Sequence, residues 1–285
     1  MGKGRLTKQV PLGNINVNFN GNFNANVHGS AEPLYLALPS YTFATPVLGG
    51  QFNLAAAFAY GRIESSVDAT IAGNLGLGGP GFTIGRSLTE TATGFGDILP
   101  MASLRWNFGV SNFMTYLTGN LTTGVYHSQS IANLGIGHNA IDWGGAYTYF
   151  DPKAGHEFSA TLGFTYNFEN TNTDYKNGVD MHLDWGASQF LTKQFQIGLV
   201  GYVYKELGCD SGSGDRVGCF QSQVVGVGPQ LGFIFPVGEM QGYLNFKGYK
   251  EFAAENRPDG WNTWVTFVIS PAAPTPSAPR RMVMK

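Results

Sequence analysis

The sequence predicts an all-β protein, a transmembrane antiparallel up-and-down β-barrel, and three observations carry that prediction. First, side chains alternate with period two. Ile15, Val17, Phe19, Phe23, Ala25 and Val27 are interleaved with Asn14, Asn16, Asn18, Asn20, Asn22, Asn24 and Asn26, as a strand with one apolar and one polar face requires. Second, charged residues are 13% of the 285, about half the roughly 25% of a soluble domain, and the polar faces are built mainly from Asn, Ser, Thr, Gln and Gly. Third, no run approaches the roughly 20 apolar residues of a spanning helix.

A polar face so poor in charge suits a crowded, wet interior better than bulk water, so the apolar face is expected outside, toward lipid. In hydrocarbon, a sheet satisfies every backbone N–H and C=O only by closing on itself, and strands of about 9–11 tilted residues then span the bilayer. The net charge of −2 is too small to indicate nucleic acid or any strongly charged partner.

Taken in order, residues 1–13 (MGKGRLTKQVPLG) are basic, polar and patternless. They are expected to hold no strand, and they lack the apolar stretch of a signal peptide. Strands are expected to start near Asn14, Gln51, Phe95, Asn112, Ala140, Glu157, Val179, Phe195, Val224, Gln241 and Asn262, about eleven in all. The odd-numbered apolar residues from Ile15 to Phe43 read as one long strand with its apolar side outward. Short connections at 46–50, 109–111, 151–155, 192–194 and 236–239 alternate with longer polar ones at 72–94, 127–138, 170–176, 209–218 and 255–260. Short periplasmic turns and long external loops alternate in this way in outer-membrane barrels. Because bacterial single-chain barrels have even strand numbers, the expectation is about twelve strands in the intact protein, with the first strand and a signal peptide upstream of this sequence. The barrel is assigned to 14–270, and 271–285 to a disordered, Pro-rich tail.

Within that frame, several stretches are similar to the outer-membrane proteins grouped as the MetA-pathway of phenol degradation family. They include Gly94-Phe95-Gly96-Asp97-Ile98-Leu99-Pro100, Trp106-Asn107-Phe108-Gly109, Ala132-Asn133-Leu134-Gly135, Tyr149-Phe150-Asp151-Pro152, Gly155-His156-Glu157-Phe158, His182-Leu183-Asp184-Trp185 and Gly226-Val227-Gly228-Pro229-Gln230. The resemblance implies a barrel in the outer membrane of a Gram-negative bacterium, found alongside degradation of aromatic compounds and thought to admit them. The family's name records pathway association and implies no enzyme. The absent leading strand departs from the family pattern and leaves closure of the cylinder open.

Residues on the polar parity are the candidates for lining the lumen: Asp97, Arg105, Asp142, Glu157, His182, Asp184, Lys247 and Glu251, with Tyr116 and Tyr202 among the aromatics there. Charges inside a barrel can pair across it and stiffen it, or they can filter solutes. Hydrolysis would need a nucleophile beside a base, which spacing alone does not assemble here. His182 and Asp184 share a face, but no third ligand is indicated, so neither a metal nor a cofactor is expected. Met114, Tyr126, Phe150, Tyr204, Tyr243, Tyr249 and Trp264 also have lumen parity, with Leu34, Leu36 and Leu38, and such a lining suits an aromatic or hydrophobic solute. Trp143, Tyr147, Tyr149, Phe168, Trp185, Phe235, Phe252 and Trp261 read instead as interfacial girdles. Cys209 and Cys219 flank an external loop and are expected to close it with a disulfide. Asp210 and Asp215 in that loop lack the spacing of a calcium loop, and the glycine run at 76–81 lacks the strand–helix context of a phosphate cradle.

Twelve strands fall between the filled eight-stranded barrels and the open sixteen-stranded porins. The function expected is therefore a porin-like channel for passive uptake of small hydrophobic or aromatic compounds. Its partners would be outer-membrane lipid and the solute. The rival expectation is a structural or adhesive barrel with a plugged lumen and partner-binding external loops.

Overall fold

The computed structural model describes residues 2–12, 15–75, 81–216, 218–219 and 221–271, and every regular element among them is a strand. Thirteen are present: β1 (Gly2–Leu12), β2 (Ile15–Ala37), β3 (Ser40–Thr42), β4 (Gln51–Leu75), β5 (Gly81–Phe108), β6 (Ser111–Asn120), β7 (Ala140–Asp151), β8 (His156–Asn167), β9 (Asp180–Phe190), β10 (Phe195–Glu206), β11 (Gln223–Val237), β12 (Met240–Glu255) and β13 (Trp261–Pro271). They form one antiparallel sheet in which twelve strands follow chain order from β1 to β13, with β3 also paired to β4. The sheet curls, so that Phe190 of β9 and Ile234 of β11 line one cavity with Gly50 and Gln51 at the start of β4. Among the described residues no ladder joins β13 to β1 or β2.

Two-residue turns and other short connections gather at one end of the sheet, and the long loops 121–139, 168–179 and 207–222 at the other. The β5–β6 turn needs a left-handed residue, and Gly109 supplies it with φ of 76°. β2 and β3 follow one path along β4, broken at Leu38 and Pro39. Pro39 has no N–H for the ladder, although its carbonyl still accepts from the Ala56 N–H at 3.2 Å.

Strands β6 to β10 are 10–12 residues long, about the length that crosses a bilayer at a steep tilt. Their outer face is apolar and bare: Leu117, Trp143, Leu162 and Leu199 are 54%, 46%, 43% and 55% exposed. The inner face holds the buried polar groups, including Asn120, Asn167, Ser188, Gln196, Gln230 and Asn245. A soluble sheet protein would bury the first set and expose the second, so this arrangement is that of a barrel whose solvent is hydrocarbon.

Three expectations are corrected here. Residues 2–12 are not patternless chain but strand β1, paired with β2 from Gly2↔Ala25 to Leu12↔Ile15. As an edge strand it needs no apolar alternation and accommodates Pro11, and the meander reaches twelve strands with it. The segment 72–94 is not a loop, because the β4–β5 ladder continues to Asn74↔Gly81. Most of the glycine run lies outside the described residues, as does the tail beyond Pro271.

The third correction concerns which side is apolar. Bulges at Gly96–Asp97 of β5 and at Glu32–Pro33 of β2 shift those strands by one residue, while β4 alternates without interruption. Below the bulges, Phe58 and Tyr60 of β4 point outward at 41% and 44% exposure, and Ala57 is buried on the inner side. Above them the outward set of β4 becomes Arg62, Glu64, Ser66 and Asp68, paired with Thr93, Thr91, Thr89 and Ser87. The inward set becomes Ile63, Val67 and Ile71, paired with Ala92, Leu88 and Ile84 and joined by Val27 opposite Val67. The alternation is legible, but above the bulge its apolar side, described at Val27, faces inward, while the outward side of β4 at this height carries the exposed Arg62, Glu64 and Asp68, residues suited to water and not to hydrocarbon. The Tyr60–Phe95 ring pair, with centroids 5.0 Å apart, sits at the change of polarity, where interfacial aromatics belong.

Candidate functional site

Register, rather than spacing along the chain, assembles the most polar part of the interior. Tyr116 of β6 lies opposite Gly144 of β7, Gly144 opposite Gly163 of β8, and Gly163 opposite His182 of β9. This row crosses four strands, and the two in the middle carry no side chain. Tyr116 and His182 therefore reach over them, with the tyrosine oxygen 3.2 Å from His182 Nε2. A Cβ at Gly163 would overlap both the Tyr116 hydroxyl and His182 Nε2, so any other residue there would push the two side chains out of this contact.

Asp142 of β7 completes the cluster. It accepts from Thr165 Oγ1 at 2.6 Å and from His182 Nε2 at 3.0 Å, while the other ring nitrogen lies 3.3 Å from Asp184 Oδ2. Asp180, one inward position above His182, accepts from the Tyr204 hydroxyl at 2.6 Å and from Asn167 Nδ2 at 2.8 Å. Tyr116, Asp142, Thr165, Asn167, Asp180 and His182 line a cavity of about 550 Å³ together with Leu99, Met101, Met114, Ile136 and Ala140. Apolar and hydrogen-bonding groups thus share one cavity.

The remaining candidates fall elsewhere. Tyr202 donates to Glu251 Oε1 at 2.5 Å, receives a bond from Asn262 Nδ2 at 3.1 Å and packs on Tyr249 with ring centroids 5.1 Å apart. Glu157 and Lys247 line a second cavity of about 300 Å³. Arg105 lines a third, of about 860 Å³, at the short-turn end, which Glu157 also borders. Thr161 lines all three cavities, so they adjoin one another inside the curled sheet. Asp97 does not join His182. It is buried and takes four bonds, from Asn120 Nδ2 and from the N–H groups of Thr123, Gly124 and Ile136 at 2.8–3.0 Å, which fixes the 121–139 loop across the long-loop end. Thr165, Gly144 and Gly163 were not picked out from sequence, and only their inward parity marked them. Trp185, expected at a strand end, sits in the middle of β9.

At the long-loop end Cys209 and Cys219 are joined in a disulfide with Cα atoms 4.5 Å apart. Beyond Lys205, the exposed outward lysine that ends the apolar run of β10, Glu206 and Asp210 are buried side by side. One N–H, that of Gly178, donates to both, at 2.9 Å and 3.1 Å. Ser222 donates to Glu206 through its N–H and hydroxyl, and Tyr175 donates to Asp210. Burial, and next the neighbouring Asp210, raise the Glu206 carboxyl to about 7. Burial and Asp210 likewise push the Tyr175 hydroxyl above its usual range.

An antiparallel meander with an apolar exterior, a polar interior and adjoining cavities within it defines a β-barrel of the outer-membrane class. The chain belongs to the MetA-pathway of phenol degradation family, whose pattern matches residues 10–267. In fold it is similar to an outer membrane channel from Pseudomonas putida F1, with 13% identity, a TM-score of 0.54, and coverage of 85% of this chain and 93% of that one. No curated protein sequence matches it significantly.

Proposed function

We propose that the protein is an outer-membrane channel for passive uptake of small hydrophobic or aromatic compounds that feed aromatic degradation. The observation that carries this is the set of three adjoining cavities sharing Thr161, whose linings extend from Asn120 and Asp180 near the long loops to Pro46 and Phe190 among the short turns. The lining of the first cavity is mostly apolar, with Leu99, Met101, Met114 and Ile136, and Tyr116, Asp142 and His182 add a few hydrogen-bonding groups. A ring with one polar substituent matches both kinds of lining, whereas a sugar would leave the leucine and methionine side chains uncovered. The phenol-pathway family and the outer-membrane channel of like fold agree with this. The interior acts as a conduit, and the His182 cluster sets its polarity without catalysing a reaction.

The test is reconstitution of the purified protein. In planar bilayers it is expected to give discrete conductance steps in potassium chloride, and in proteoliposomes to speed entry of toluene and phenol over protein-free vesicles. Absence of both would leave the plugged, partner-binding barrel, which the Asp97-anchored loop over the cavity mouth favours. Turnover of an ester substrate that disappears with His182→Ala would point to an enzyme.

A further inference from the structure

The inverted upper part of the sheet has no role in the channel just described, yet its inner side is built unlike any water-facing surface. Above the bulges Val27, Ile63, Val67, Ile71, Ile84 and Leu88 lie on one face of β2, β4 and β5, interrupted by Ser65, Arg86 and Glu90. Val27, Ile84 and Leu88 remain 51%, 63% and 46% exposed. The opposite face at the same height is polar, so lipid does not explain the apolar one. Bare aliphatic surface in water is costly, on the order of 25 cal/mol per Å², and marks a place that something apolar visits.

What visits it is indicated by where the face leads. Glu90, on this inner side, accepts from Ser130 Oγ at 2.6 Å and from the Ile131 N–H at 2.8 Å, which hold its carboxyl below the ordinary carboxylate range. These bonds bring Ile131 of the 121–139 loop against the strand that carries Leu88. Ile136, five residues on in the same loop, is 47% exposed and lines the 550 Å³ cavity beside Leu99 and Met101. One loop therefore touches both the upper sheet, at Glu90, and the cavity, at Ile136, and it presents an isoleucine at each place.

We infer that the inner face of the upper β2–β4–β5 sheet is a capture ramp, on which small apolar solutes adsorb from the external medium and pass by way of Ile131 and Ile136 into the cavity. This rests on the channel reading above. It adds that entry is two-dimensional, with the ramp concentrating a sparingly soluble molecule next to the mouth.

The test compares the native protein with the triple variant Val27→Ser, Ile84→Ser, Leu88→Ser, both reconstituted and both checked for the heat-modifiable electrophoretic mobility of a folded barrel. At limiting concentration, toluene entry is expected to fall on the order of fivefold, while potassium chloride conductance is unchanged because the ramp lies outside the pore. Unchanged toluene entry with unchanged conductance would overturn the ramp and leave the channel standing. No conductance and no entry in the native protein would overturn the channel reading and the ramp with it. Two further results would overturn the ramp by naming another occupant. One is self-association of the native protein that the triple variant loses. The other is quenching of an Ile84→Trp variant by brominated acyl chains.

Discussion

Glu206 is held by the Gly178 and Ser222 N–H groups and the Ser222 hydroxyl, and it faces a second buried carboxylate, Asp210. Two carboxylates sharing a donor cannot both ionise freely, and one retains its proton. With its pKa near 7 against roughly 4.3 in an open chain, Glu206 binds a proton more tightly when loops 168–179 and 207–222 are docked than when they are apart. The sign follows from linkage. The contribution to docking is complete below about pH 4.3 and is lost as pH rises through 7. After correction for intrinsic base catalysis, exchange of the Gly178 and Ser222 amides is expected to be slower at about pH 5.5 than at about pH 8.5, by roughly tenfold. Glu206→Gln, which keeps an acceptor and cannot ionise, is expected to remove that dependence. Equal protection at the two pH values in the native protein would mean that the pair stays fully charged.

The same loop offers a test at the level of one element. Cys209 and Cys219 close a short segment, ten residues apart in sequence, and such a cross-link lowers the entropy of the open loop by about 2–3 kcal/mol of free energy. Replacing both with serine is expected to ease local opening of 207–222 by about that amount, read by amide exchange or proteolytic nicking. The heat-modifiable mobility of the barrel should not change, because the disulfide loop contributes no strand to the sheet ladder. Collapse of the whole barrel would show instead that this loop holds β10 and β11 in place. Elements of this kind differ in how far the sequence discloses them. Strands β6 to β13 are legible because their alternation is steady and, except at the β9–β10 turn, is ended by Gly, Asn, Asp or Pro. β1 is not, since an edge strand is made by backbone pairing and its side chains carry no pattern. The sequence reads 72–94, the last residues of β4 and the upper half of β5, as loop, and it reads the apolar parity at Val27 as the outer side of β2 although it is the inner one. Period two tells that a strand has two faces, but a single bulged residue decides which face is which. The cluster at His182 was half legible: parity placed Tyr116, Asp142, His182 and Asp184 on the inner side, but only register shows that Gly144 and Gly163 let two of them meet.

For the whole molecule, the decisive property is that its solvent changes with height. Around the middle of β10, Leu199 is 55% exposed and stands between Ala187 and Pro229 of the neighbouring strands. Leu207, just past the outward Lys205, is 47% exposed. In water the two leucines would be equivalent surface positions, and an arginine would be welcome at either. In a barrel they are at different depths, and the cost of a buried guanidinium is set by depth. Leu199→Arg is expected to destabilise the protein by about 2–4 kcal/mol in a bilayer, and Leu207→Arg by about 0–1 kcal/mol. Reversible denaturant unfolding from lipid vesicles, followed by tryptophan fluorescence, measures both. The difference between the two carries the weight, because general effects of a bulky cation on strand propensity or refolding are shared and cancel. If the two variants are equally stable, the apolar exterior does not lie in hydrocarbon. The polar interior would then need another explanation than a lumen, and the cavities adjoining at Thr161 would be gaps in a soluble sheet instead of a path across a membrane.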